Sequence, residues 1–177
     1  SAVDVYYPTL LRQHLAQVIT IKQRNFLPND DITKDFLKDF RLRLEDSLRL
    51  ISDAEPSQVL SDLFVEHLKG KTLSNSQGVA VSVQILGVED AWNKLATHIG
   101  QPKEALKRQF DALVSRRNDI VHRGDRSSRD PAGPVQAIGY AWADNHIHAA
   151  RSVVQASDEL VQAQMLALTP PPDEAHG

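Results

Sequence analysis

Near residue 120 the chain reads Arg116-Arg117-Asn118-Asp119-Ile120-Val121-His122-Arg123. This run combines a permanent positive charge, an amide that donates and accepts, and an imidazole able to move protons near neutral pH. Such a set can bind a phosphodiester, stabilise charge on its oxygens and transfer protons without a metal ion. On RNA the 2′-hydroxyl itself can act as nucleophile, so the protein need supply only proton transfer and charge stabilisation. Helical spacing puts Asn118 and His122, four apart, on one face, with His122 about 140° around from Arg117. If the helix ends there, that angle relaxes.

The helix expected to carry the run starts after Pro102 and reaches about Val121. Leu106, Phe110, Leu113, Val114, Ile120 and Val121 fall on one apolar face, with Arg117 in the same stripe. A guanidinium there needs a carboxylate or a cleft that uses its charge. Glu45 and Asp46 are the acids considered for that pairing, although a surface salt bridge elsewhere accounts for them equally well. An Arg paired across helices with a His capping a helix end is ordinary architecture, so spacing alone also permits a structural or dimerisation domain.

Upstream, an amphipathic helix is expected from Thr9 to about Arg24. A long central helix is expected through Ile32, Phe36, Phe40, Leu44, Leu48 and Ile51, and a shorter one from Pro56 to Gly70. Val79, Val81, Val83 and Ile85 alternate like a strand, but no second strand is there to pair with them. The segment is therefore read as an extended connection or a disguised helix. A short helix from about Glu89 to Ile99 precedes the motif helix, and a last long helix is expected from near Val135 to Leu168. The expected fold is all-α: an up-and-down bundle of four to five main helices with a short extra helix before the motif helix. One domain spans 1–169, and the Pro-rich tail 170–177 is expected to be disordered.

The 177 residues carry a formal charge of −3, unevenly spread. Residues 103–129 hold 8 Lys/Arg against 4 Asp/Glu, whereas residues 130–177 hold 1 against 6. A local basic stretch attracts phosphate even on an acidic protein, because screening confines fields to about 10 Å. The same stretch also suits a plain solvated helix face. No cysteine is present, so disulfides and thiolate metal sites are excluded. No apolar run nears the roughly 18 to 20 residues of a membrane span, and the first residues lack the zones of a signal peptide. A cytoplasmic location with no membrane partner is expected. His146 and His148 are on different helix faces and make no metal pair, though Asp144 and His148 have the spacing to interact. No metal or cofactor is expected. Trp92 and Trp142 read as core or interface anchors.

The string Arg-Arg-Asn-Asp-Ile-Val-His-Arg-Gly-Asp from Arg116 to Asp125 resembles the signature of HEPN domains: Arg, often a polar residue next, then His after four to six intervening residues. More narrowly it resembles the RiboL-PSP type. The motif likeness covers about 15 residues, while the helix order agrees over most of the chain. The resemblance implies a metal-independent endoribonuclease with Arg117 and His122 catalytic and Asn118 or Asp119 positioning them. Arg116, Arg123 and Asp119 are then expected to contact substrate. It further implies a homodimer in which two motifs share one composite cleft on RNA, with an antitoxin or phage-defence system as possible partner. The alternative is a non-catalytic HEPN module that binds RNA or a partner protein.

Overall fold

A computed structural model describes residues 2–123, 126, 134–135 and 137–169; of Ala2 and Arg123 only the backbone is described. The expected tail at 170–177 lies outside these residues. Among the described residues all regular structure is helical. In order the helices are α1 (Ala2–Lys22), α2 (Asp31–Leu37), α3 (Leu44–Ser52), α4 (Pro56–Lys69), α5 (Ser76–Ile85), α6 (Ala91–Ile99), α7 (Lys103–Arg123) and α8 (Tyr140–Leu168), with a 3-10 turn at Gln23–Asn25. The all-α bundle expected from sequence is therefore observed, and α6 is the short helix before the motif helix.

Four long helices, α1, α4, α7 and α8, frame the core. α1 packs against α4 and α8, while α8 also lies against α6 and α7. Tyr7, Leu10, Leu11, Leu15 and Val18 form the buried stripe of α1, and they meet Phe64, Val65 and Leu68 of α4. Leu106 and Phe110 from α7 and Val153 and Val161 from α8 complete the interior. α1 begins seven residues before the expected Thr9. Its first turns carry Tyr6 and Tyr7, whose hydroxyls tie it to α8: Tyr6 donates to the Val154 carbonyl at 3.1 Å, and Tyr7 shares a 3.2 Å hydrogen bond with Ser157.

The strand-like segment is a helix. In α5 Val79, Ala80, Val81, Val83 and Ile85 are all buried, with α1, α2, α6 and α7 packed around it. Only Gln77 and Gln84, seven residues apart, keep exposed surface, so a helix this deeply enclosed has too narrow a polar face to show the helical period. Asn75 caps α5 by accepting from the Gly78 amide at 2.8 Å.

Three other expectations are corrected. The long central helix is two pieces, α2 and α3, separated by residues 38–43. Arg41 donates to the carbonyls of Lys38 and Phe40, both at 2.7 Å, while Arg43 and Asp46 form the box that starts α3. α3 lies at the edge of the bundle, where Leu44, Leu48 and Ile51 are exposed, whereas α2 packs against α5 through buried Thr33 and half-buried Phe36 and Leu37. Ile120 and Val121 are exposed rather than buried, because the last turns of α7 run past the core. Finally, α8 begins at Tyr140 rather than near Val135. Trp92 is in the core as expected, donating from its indole N–H to the Ser76 carbonyl at 2.8 Å; Trp142 is half-buried and stacks on His146, ring centres 4.0 Å apart.

Candidate functional site

α7 brings Arg117, Asn118 and His122 to its C-terminal end, where all three line one cleft of about 490 Å³. The rest of its lining comes from Asp4 and Pro8 of α1, Leu68 and Lys69 at the end of α4, and Lys71, Thr72, Leu73 and Ser74 beyond it. The helix continues through Arg123, so the angle between Arg117 and His122 does not relax by helix termination. Both side chains nevertheless line the cleft.

Arg117 is held from two sides. One guanidinium nitrogen donates to Asn118 Oδ1 at 2.8 Å, and the other makes an ion pair with Asp4 Oδ2. Neither partner is fully buried: the side chains of Arg117 and Asp4 keep 37% and 32% of their accessible surface. Glu45 and Asp46 are therefore not the partners of this arginine. Asp46 binds Arg43 at 3.2 Å on α3, where that guanidinium holds its carboxyl below the usual carboxylate range.

The loop beneath the cleft is positioned by α7 itself. Asp111 accepts from the Ser76 amide at 2.8 Å and from its hydroxyl at 2.7 Å, which fixes the start of α5 against α7. Gly78 allows Thr72 and Leu73 to cross the first turn of α5. A Cβ there would run into the Leu73 backbone and the Thr72 carbonyl.

Lys69, Lys71, Arg117 and His122 line the cleft with Asp4; Lys69 also pairs with Glu66 at 2.5 Å, Lys71 with Asp39 at 3.3 Å and Arg117 with Asp4. With the hydroxyls of Thr72 and Ser74 and the amide of Asn118, this is a donor-rich concavity suited to an oxyanion such as a phosphodiester. His122 is exposed and lines that concavity, within reach of a bound ligand.

Sequence reasoning placed Arg117, Asn118 and His122 together, and they are together. Arg116 is buried at 9% exposure and lines no part of the cleft; Asp119 is half-buried and also lies off it. The side chain of Arg123 lies outside the described residues. Asp4, Lys69, Lys71, Thr72 and Ser74 were missed. For Asp4 the spacing of Val3, Tyr6, Tyr7 and Leu10 was a usable sign that the first helix starts early. Nothing local pointed to Lys69 or Lys71. Among the described residues there is no group of three His, Asp or Glu arranged to hold a metal ion, and no helix is long and apolar enough to cross a membrane.

This chain matches no known family model, no curated protein and no solved structure. The reading of the site therefore rests on its own geometry and on the motif.

A second concavity adjoins the first. It is about 720 Å³, largely apolar, and bounded by Val3 and Tyr6 of α1, Leu113 and Val114 of α7, and Ile147, Ala150 and Val154 of α8. Arg117 and Ser74 line both concavities, so they stand at the boundary.

Proposed function

We propose that the chain is a metal-independent endoribonuclease of HEPN type, acting on RNA through 2′-hydroxyl attack. The supporting observation is that Arg117, Asn118 and His122, given by the motif, line one cleft together with Lys69 and Lys71. In this reading the lysines and Arg117 bind the phosphate, and Asn118 holds the Arg117 fork in place. His122 takes the proton from the 2′-hydroxyl; O2′ forms a bond to phosphorus, the bond to O5′ breaks, and the leaving oxygen takes up a proton. The products are a 2′,3′-cyclic phosphate and a 5′-hydroxyl. A second imidazole for the leaving group would come from a homodimer whose two motifs share a composite cleft. Exposed Ile120 and Val121, within the motif on α7, offer apolar surface for such a contact.

The reading is tested by incubating the protein with mixed RNA in EDTA, comparing wild type with His122→Ala and analysing the product ends. Cleavage by wild type alone with cyclic phosphate ends supports it; equal activity in both, or none in either, rejects it. Sedimentation of the wild type measures the dimer independently.

One observation favours the alternative of a non-catalytic module that binds RNA or a partner protein: Asp4 already neutralises Arg117. Such a module would bind RNA without cutting it, and His122→Ala would weaken binding only. Assignment to an antitoxin or phage-defence system, and to the cytoplasm, rests on the motif resemblance and the lack of cysteine.

A further inference from the structure

The apolar concavity beside the motif is too well furnished to be a packing defect. Its volume of about 720 Å³ lies within the range of about 300–1,000 Å³ usual for small-molecule sites. Along α8, Ile147, Ala150, Arg151, Val154, Gln155 and Asp158 recur at three- and four-residue steps and line it as one stripe. The aliphatic members form the walls, while Arg151, Gln155 and Asp158 add polar groups. Tyr6 of α1 joins the lining, anchored by its hydrogen bond to the Val154 carbonyl at 3.1 Å.

Arg117 and Ser74 belong to this concavity and to the polar cleft alike, so one molecule can lie across both. That molecule has an anionic end in the lysine-lined cleft and a flat, weakly polar end between aliphatic walls. A nucleotide has this division. A long-chain carboxylate fits less well, because its aliphatic tail would leave Arg151, Gln155 and Asp158 of the apolar concavity without a polar partner on the ligand.

We propose that the apolar concavity seats the nucleobase next to the scissile phosphate, and that Asp158 accepts a hydrogen bond from the exocyclic amino group of that base. Adenine, cytosine and guanine carry such an amino group; uracil offers only its N3–H, flanked by two carbonyl oxygens that would repel the carboxylate, so the site discriminates against uracil. Asp158 already receives the Gln162 amide at 2.7 Å on one carboxylate oxygen and lies beside the Tyr6 hydroxyl. The inference rests on the ribonuclease reading of the adjoining cleft and extends it to substrate selection.

The test uses non-cleavable probes, fluorescent 2′-O-methyl hexamers of adenylate, cytidylate and uridylate, with affinity read by anisotropy. Wild type is expected to bind the adenylate and cytidylate hexamers about tenfold more tightly than uridylate, the effect of one charge-assisted hydrogen bond. Asp158→Asn, whose amide both donates and accepts, should bring the three affinities together. Ile147→Trp fills the concavity from an exposed position, 44% accessible, that tolerates a large ring, and should weaken adenylate and cytidylate most. His122→Ala should leave the preference in place. A wild type without preference, or a preference that survives both Asp158→Asn and Ile147→Trp in folded protein, overturns the base site. If that result accompanies His122-dependent cleavage, the nuclease reading stands and only the base site falls. A preference removed by both variants, with no cleavage by any protein, has the opposite meaning: the base site stands and the nuclease reading falls.

Discussion

The guanidinium of Arg117 is paired with the carboxylate of Asp4, 113 residues earlier in the chain, across the gap between α7 and α1. This contact joins the first helix to the motif helix at the mouth of the cleft. It makes the N-terminal turn of α1 part of the site.

Because both side chains remain about one-third accessible, the pair should add little to stability. Arg117→Ala and Asp4→Asn are each expected to lower the unfolding free energy by about 1 kcal/mol or less. A cost near 3–5 kcal/mol, the signature of a buried charge left alone, would instead mark Arg117 as a structural residue. Chemical denaturation of both variants separates the cases. Asp4→Asn should also tighten binding of a single-stranded RNA oligomer about threefold at low salt, since it removes the carboxylate from the cleft.

Lys69 and Lys71 should bind phosphate and not act as specificity groups. Replacing both with Gln is expected to weaken RNA binding uniformly across sequences. The slope of log affinity against log salt should fall by about 0.7 for each lysine replaced. Titrations at several salt concentrations measure this, and an unchanged slope would remove the lysines from the binding surface.

Gly78→Ala should disturb the cleft from outside it. The added methyl meets the Leu73 backbone and the Thr72 carbonyl, neither of which can rotate away. A loss of about 2–4 kcal/mol is expected on thermal or urea unfolding, as for other overpacked core sites. Asp111→Ala, which strips both hydrogen bonds from Ser76, should cost about 2 kcal/mol at the same junction.

Tyr6 and Tyr7 define an alkaline limit. Burial pushes both phenols well above their ordinary value of 10.0, and Asp158 adds to the effect at Tyr6. Their folded values are raised, so the stability they contribute is complete below pH 10 and is lost as pH rises through the folded values. In an ultraviolet difference titration these two phenols should stay protonated while the bundle holds and ionise together with unfolding. Smooth ionisation near pH 10 in folded protein would contradict their burial.

Much of the arrangement was legible in the chain. The amphipathic repeats of α1 and α4 marked their buried faces, as did that of α7 through Leu106 and Phe110 though not Ile120 and Val121; Pro56 opened α4, and Gly100 closed α6 in a left-handed conformation with its amide on the Ala96 carbonyl at 2.9 Å. These signals are local, since they depend on periodicity and on backbone groups within a turn of the residue concerned. The failures share a cause. The row from Ile32 to Ile51 has helical spacing throughout, yet Arg41 binds the carbonyls of Lys38 and Phe40 and a new helix starts at Leu44. Phe40 then packs on Phe64 and His67, and that packing outweighs the local preference.

The sequence by itself determined that the chain is helical, and that Arg117, Asn118 and His122 occupy one end of the motif helix, because both follow from spacing along a single element. Only the tertiary structure decided that Asp4 meets Arg117, that Lys69, Lys71 and Ser74 line the same cleft, and that Val79 to Ile85 lie in a helix. Those facts depend on which elements pack together. Packing is set by the fit of whole buried surfaces, which no local period records.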